Sequence, residues 1–113
     1  MKFKLIMAFV KSDITDKVVD AMKEAGATGA TIIPARGTGI HEAKSFFGLS
    51  IEDKTDCIVF LVVEQVVENL LKVIRTAGEF DKPGTGIAFS LPVDQIVGLE
   101  SQMPKFKDLA HEE

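Results

Sequence analysis

Apolar and polar residues alternate along the first ten positions of the chain. Phe3, Leu5, Met7 and Phe9 fall on one side of this alternation, and a period of two is that of a β-strand. Residues 2–10 are therefore predicted to form a strand with one face of large apolar side chains.

A helix is predicted next, because apolar residues recur at helical spacing between Ser12 and Gly26. Ser12 and Asp13 are candidate N-caps, and Gly26 stands where the end of a helix favours a residue free to adopt positive φ. A second strand is predicted at residues 30–33. Pro34 is expected to weaken its far end, because proline has no N–H to donate to a sheet.

The second half of the chain repeats this order. A continuous apolar run at residues 57–63 predicts a central strand, an amphipathic segment at 66–77 predicts a helix, and residues 87–91 predict another strand. A further short strand is expected at residues 95–99. The order βαββαβ is that of the α+β ferredoxin-like fold, a double βαβ sandwich.

The connection between the second and third strands, residues 35–56, is much longer than a hairpin needs. Long connections in compact domains are usually functional or disordered, and the apolar residues here, Phe46 and Phe47 among them, argue against disorder alone. Two interpretations stay open. The apolar side chains either pack on the domain's own surface, or the loop docks on a partner or folds over a ligand.

Two short stretches of the chain share a glycine–threonine–glycine pattern, each with a basic residue nearby. They are Gly37, Thr38 and Gly39 with Arg36, and Gly84, Thr85 and Gly86 with Lys82. Glycines let backbone N–H groups converge on an anion, and threonine adds a hydroxyl donor. The two stretches hold equivalent positions of the repeat. Together they therefore indicate an anion site more strongly than either turn does alone.

Composition indicates one soluble, cytoplasmic domain over residues 1–113, with a flexible tail from about residue 103. The 113 residues suffice for one core, and 46% hydrophobic with 27% charged residues is usual for a soluble protein. No apolar run approaches the ~20 residues of a membrane span. The single Cys57 fits a reducing compartment, and a net charge of −4 with dispersed basic residues argues against nucleic-acid binding.

No catalytic constellation is present in the sequence, so the chain is not expected to be an enzyme. Cys57 opens an apolar strand and is interpreted as a small core residue. His41 and Glu42 could bind a metal or polarise a ligand, but two neighbouring groups do not make a metal site, and none is predicted. Residues 53–56 are interpreted as a solvated junction between loop and strand.

The chain resembles the PII signal-transduction family, the trimeric nitrogen regulatory proteins, from Lys2 to about Leu99. The motifs that carry the resemblance are Gly29-Ala-Thr31, Gly37-Thr-Gly39, Val73-Ile-Arg-Thr-Ala77 and Pro83-Gly-Thr-Gly-Ile-Ala-Phe89. It implies a homotrimer with clefts between subunits that hold ATP or ADP. By this resemblance, the glycines and threonines of both motifs line the cleft, and the long loop is the T-loop that contacts a target protein.

The chain also departs from the family pattern. Ile87 stands where well-studied members carry a phosphate-holding lysine, and residues 97–100 lack the arginines that assist it. The family's T-loop glutamine assists the binding of magnesium and 2-oxoglutarate. Its counterpart here is His41, which leaves the binding of magnesium an open question and argues against the binding of 2-oxoglutarate. The chain has no tyrosine, so control by nucleotidylation of a tyrosine is excluded.

The sequence therefore predicts a PII-like regulator of nitrogen or related metabolism. It would bind an adenine nucleotide (ATP, ADP or AMP) or a similar small anion between subunits. Arg36, His41 and Glu42 are expected to act at the base of the T-loop, Lys82 at the phosphates, and Phe46 and Phe47 on the partner. Two alternatives remain: a trimeric adaptor that needs no ligand, and a trimer of the copper-tolerance type that binds a small molecule or metal ion.

Overall fold

A computed structural model describes residues 1–36, 45–46, 49–50, 54–99 and 104, with 45–46 and 49–50 described as backbone only. Most of the long loop and most of the predicted tail lie outside this part of the chain.

Six strands and two helices make up the described structure. In chain order they are β1 (Phe3–Lys11), α1 (Thr15–Glu24), β2 (Thr31–Ala35), β3 (Ser45–Phe46), β4 (Leu49–Ser50), β5 (Thr55–Val63), α2 (Val67–Ala77) and β6 (Gly86–Val93). One 3₁₀ turn precedes each helix, at Ser12–Ile14 and Glu64–Val66.

The four longer strands form one sheet in the order β2-β5-β1-β6, with every neighbouring pair antiparallel. The two central strands are therefore β1 and β5, as the continuous apolar run of β5 indicates. This is the α+β, ferredoxin-like arrangement predicted from the sequence, and the prediction is confirmed. The short strands β3 and β4 pair only with each other.

Strand bounds differ from the sequence prediction at two places. β2 continues through Pro34 to Ala35, which is possible because β2 is an edge strand, where a missing N–H donor leaves no ladder bond unmade. No strand forms at residues 95–99, so that prediction is wrong. The chain there is irregular and contains Gly98 at a φ of 94°, a left-handed conformation that interrupts extended structure.

The start of the first helix also differs from the prediction. Ser12 and Asp13 lie in the 3₁₀ turn rather than at the N-cap, and Ile14, the N-cap residue of α1, makes no side-chain capping bond. At the other end the prediction holds, since Gly26 follows the helix with a φ of 112°.

The core lies between the two helices and one face of the sheet. On the sheet side it contains Ile6, Ala8, Val10, Ile58 and Phe60, each fully buried. From α1 and α2 it contains Val18, Met22, Leu70 and Ile74, likewise fully buried.

The opposite face of the sheet, here called the open face, is also apolar. Cross-strand pairing places on it Phe3, Leu5, Met7, Phe9, Ile33, Cys57, Val59, Leu61, Ile87, Phe89 and Leu91. Both helices pack on the other side, so Ile33 keeps 48% and Leu91 42% of its surface exposed. The large apolar face that the sequence marks on the first strand is thus the side turned away from the helices. No helix among the described residues is long and apolar enough to cross a membrane.

Candidate functional site

The segment that joins α2 to β6, residues 78–86, is a tight turn containing the second glycine–threonine–glycine motif; we call it the glycine turn. Its backbone is closed by bonds from Phe80 N to Arg75 O (3.0 Å) and from Lys82 N to Glu79 O (3.0 Å). Glu79 has a φ of 55°, and Gly84 a φ of 77°. Gly84 thus lies where the turn needs a left-handed residue. Glu79 adopts the same conformation although it is not a glycine.

Gly86 is required by close packing. A Cβ atom at Gly86 would lie 2.4 Å from the carbonyl oxygen of Phe9 and 2.7 Å from Cε1 of Phe80. At Gly78 a Cβ would lie 2.4 Å from the same Phe80 ring atom. The Phe80 ring therefore packs against both ends of the turn, and the two glycines fix how closely the turn approaches β1.

The Thr85 hydroxyl holds the turn together from inside. Its Oγ1 donates to the carbonyl oxygens of Glu79 (2.8 Å) and Lys82 (2.9 Å). A hydroxyl has a single hydrogen, which these two acceptors share. Thr85 therefore has no second hydrogen to donate to an anion, although its oxygen can still accept a bond.

Lys82, the cation predicted to face a phosphate, is paired with an acidic neighbour. Its Nζ lies 2.5 Å from Oε1 of Glu79, while Oε2 of Glu79 lies 3.9 Å from Nζ of Lys17 on α1. The hydrogen bond and the attraction of Glu79 raise the pKa of Lys82, and those of Lys82, helped by Lys17, lower the pKa of Glu79. Both groups are therefore charged at neutral pH. Glu79 was not predicted from the sequence, where its signal is an acidic residue three positions before a lysine in a turn.

The first glycine–threonine–glycine motif begins immediately after β2. Arg36 is described and exposed. The predicted ligand and loop residues Gly37, Thr38, Gly39, His41, Glu42 and Phe47 lie outside the described residues. For Phe46 only the backbone is described, in β3.

Arg36 and the glycine turn lie at the same end of the sheet but at opposite edges. Ala35 pairs with Thr55, Thr55 pairs with Lys11, and the neighbouring Val10 pairs with Gly86. From β2 to β6 there are three strand spacings, which is about 14 Å. Within one chain, Arg36 and the glycine turn are therefore separated by the width of the sheet.

The C-terminal base of the long loop is tied to the start of α1. Ser12 N donates to Lys54 O (2.9 Å), and Oγ1 of the buried Thr15 donates to Oδ2 of Asp56 (2.6 Å). The interpretation of residues 53–56 as a solvated junction is wrong for Thr55 and Asp56. Thr55 is buried at the edge of the open face, and Asp56 turns toward the helices.

Three further residues bear on the site's chemistry. Ile87 lies opposite Phe9 on the open face, so an apolar side chain joins an apolar surface just after the turn. Cys57 is buried, as expected for a structural cysteine, and burial raises the pKa of its thiol. Val97 is almost fully exposed in the irregular segment after β6. Among the described residues, no group of three or more His, Cys, Asp or Glu side chains could hold a metal ion.

Comparison with known proteins gives a consistent result. The family model described as nitrogen regulatory protein P-II matches residues 3–102. A nitrogen regulatory protein P-II of Mesorhizobium japonicum is 27% identical over 103 residues, covering 87% of this chain and 92% of the relative.

Two solved structures have the same fold. CPII of Thiomonas intermedia, whose structure contains ADP, AMP and acetate, has a TM-score of 0.69 and 22% identity, covering 93% of this chain and 94% of that chain. A PII-like signalling protein of Thermus thermophilus has a TM-score of 0.62 and 26% identity, covering 82% and 87%. Since the family model spans nearly the whole chain and the fold agrees with it, the chain belongs to the nitrogen regulatory protein P-II family of signalling proteins.

Proposed function

We propose that this PII-family protein is a homotrimeric sensor that binds an adenine nucleotide between subunits and controls a partner protein through the loop segment 36–54. One observation carries the proposal: Arg36 and the glycine turn lie at the same end of the sheet on opposite edge strands. A small anion cannot bridge about 14 Å within one chain. It can contact both motifs where the β2 edge of one subunit meets the β6 edge of the next.

The open face supports assembly. Monomeric proteins rarely expose a continuous apolar surface of this kind, and such a surface usually marks an interface. Light scattering should give three times the chain mass of 12.3 kDa. Leu91→Glu, on the open face, should dissociate the trimer. Asn69→Glu introduces the same charge at an exposed residue of α2, on the other side of the sheet, and should leave the trimer intact. A stable monomer of the unmodified protein at micromolar concentration would contradict the assembly.

The ligand class follows from the family and from the turn. CPII of Thiomonas intermedia was solved with ADP and AMP, and backbone N–H groups around glycines suit a phosphate. We therefore propose ATP, ADP or AMP as the ligand, contacted by Gly37, Thr38 and Gly39 on one subunit. The residues on the other are Lys82, Gly84, Thr85 and Gly86. No catalytic cofactor is needed, because the proposed role is regulatory rather than enzymatic.

The loop segment is the proposed output. Arg36, His41 and Glu42 are close in sequence to the ligand motif, and Phe46 and Phe47 follow on the same segment. A ligand that favours one loop arrangement would change how these rings are presented to a target. The target is an enzyme or transporter in the cytoplasm, in nitrogen or related metabolism.

A second candidate, an adaptor that binds its partner without a ligand, is favoured by the internal pairing of the site. The Thr85 hydroxyl and the Lys82 ammonium are both held by groups of the turn itself. Ile87 adds no charge. Calorimetric titration with ATP, ADP and AMP separates the two candidates, because an adaptor should bind none of them.

The titration is run with and without Mg²⁺ and 2-oxoglutarate, on the unmodified protein and two lysine variants. Lys82→Ala should weaken nucleotide binding. Lys72→Ala removes an equal charge from an exposed ion pair on α2 and should not. Equal affinities in both variants would remove Lys82 from the site, and no binding of any nucleotide to the unmodified protein would refute the sensor.

A further inference from the structure

Glu79 is the second residue of the glycine turn and forms ion pairs with two lysines. Its side-chain oxygens reach Lys82 at 2.5 Å and Lys17 at 3.9 Å. Its carbonyl oxygen accepts the bonds from Lys82 N (3.0 Å) and from the Thr85 hydroxyl (2.8 Å). The carboxylate is thereby anchored in the turn to which the proposed function assigns the phosphates.

The charges around the turn cancel. Among the described residues that interact with Glu79 or Lys82, Lys17 and Lys82 are cations and Glu79 and Asp81 are anions, with Asp81 close enough to act on Lys82. Ile87, the residue after the motif, contributes no charge. Within one subunit, a polyphosphate approaching this turn meets backbone N–H groups and these four side-chain charges, which sum to zero.

We propose that Glu79 is an internal counter-ion that makes the site select for an adenine nucleotide of low charge, a nucleoside monophosphate, over a triphosphate. This inference rests on the proposed nucleotide function. Glu79 pairs with Lys82, lies within ion-pair distance of Lys17 and repels each further phosphate. A monophosphate can still bind through the backbone of the turn, because this part of the interaction needs no free lysine.

The magnitude of the discrimination follows from Coulomb's law. One unit charge about 6 Å from another changes an equilibrium about three- to ten-fold in a water-like or moderately screened environment. Neutralising Glu79 should therefore raise the affinity by about three- to ten-fold for every additional negative charge on the ligand. The gain should shrink as ionic strength rises, since the groups are exposed.

The test compares AMP, ADP and ATP by calorimetry in the absence of divalent cations, for the unmodified protein and Glu79→Gln. Glutamine keeps the size and a hydrogen bond to Lys82 but removes the charge. The control is Glu68→Gln, which neutralises another exposed glutamate paired with a lysine, in the first turn of α2 and about 15 Å along the helix from the glycine turn. Glu79→Asn is the second variant, because asparagine accepts the left-handed φ of 55° readily.

The unmodified protein should bind AMP at least as tightly as ATP. Both Glu79 variants should raise the ATP-to-AMP affinity ratio about nine-fold or more at low salt, because ATP carries two more negative charges than AMP, and Glu68→Gln should leave it unchanged. An unmodified protein that prefers ATP ten-fold, or a ratio that Glu79→Gln does not move, would overturn this role while leaving nucleotide binding intact. Failure of all three nucleotides to bind the unmodified protein and the variants would overturn the proposed function and this inference together.

Discussion

The hydrogen bond between Thr15 and Asp56 gives the sharpest quantitative prediction, because it joins the first helix to the base of the long loop and can be removed without changing shape. Thr15 is only 4% exposed, and its Oγ1 lies 2.6 Å from Oδ2 of Asp56. Thr15→Val keeps the volume of the side chain and replaces the hydroxyl with a methyl group. The Asp56 oxygen then loses its donor in a half-buried position.

The expected cost is about 2 kcal/mol of unfolding free energy. A hydrogen bond to a charged group contributes about 1.5–3 kcal/mol, and the lower part of that range applies because Asp56 is only half-buried. For a chain of this size, that loss corresponds to a fall in melting temperature of about 8 °C. Urea unfolding at one fixed protein concentration measures the free energy, since assembly would make it concentration-dependent.

A double-mutant cycle isolates the bond from other effects of the substitution. In an Asp56→Ala background, Thr15→Val should cost almost nothing, giving a coupling energy above about 1 kcal/mol between these contacting groups. Gly29→Ala is the unrelated control, because a Cβ there meets no atom within 4 Å. A coupling below about 0.5 kcal/mol would refute the assignment of this bond as an anchor of the loop base.

Three other predictions concern the turn and the loop. Thr85→Val should lower the free energy of unfolding by about 1–2 kcal/mol, because it removes the hydroxyl that bonds two carbonyl oxygens. Thr85→Ser should retain most of the stability. Equal losses in urea unfolding would contradict this role of the hydroxyl. Gly86→Ala should cost about 3 kcal/mol or more, since its Cβ would lie 2.4 Å from a backbone oxygen, and a loss no larger than that of Gly29→Ala would disprove the close packing. The double change Phe46→Ala, Phe47→Ala should abolish capture of the partner protein from a cell lysate and barely change the melting temperature. A large fall in melting temperature would instead assign both rings to the core.

The order of elements was predictable because it depends on local periodicity. The alternation in β1 and the apolar run in β5 identify strands, and these features survive in the structure with bounds shifted by a residue or two. The predicted strand at 95–99 failed because short alternating segments carry little information. Left-handed Gly98 bends the chain there. The N-cap prediction failed because the 3₁₀ turn displaces the helix start by three residues.

The candidate site was predictable only where the backbone demands a particular residue. Gly84 and Gly86 were recognisable, since a left-handed φ or a close contact favours glycine. Glu79 was not, because its conformation is sustained by the bonds around it, and Lys17 comes from a helix distant in sequence. The open face was likewise ambiguous. Both faces of this sheet are apolar, so the alternation along a strand does not say which face the helices cover.

The described contacts join the loop base and the glycine turn through the same helix. Thr15, at the start of α1, holds Asp56, and Lys17, two residues later, reaches Glu79. A ligand that drew Lys17 or Lys82 away from Glu79 would therefore act on the helix turn that also anchors the loop. The Lys17 contact is exposed and long, so it contributes little energy by itself. The part-buried Thr15–Asp56 bond is the stronger of the two, and any transmission along this route is limited by the weaker contact. Coupling within one chain should thus be small, and in the proposed trimer most of a ligand's effect on the loop would come from direct contact with residues 36–39 of the adjoining subunit.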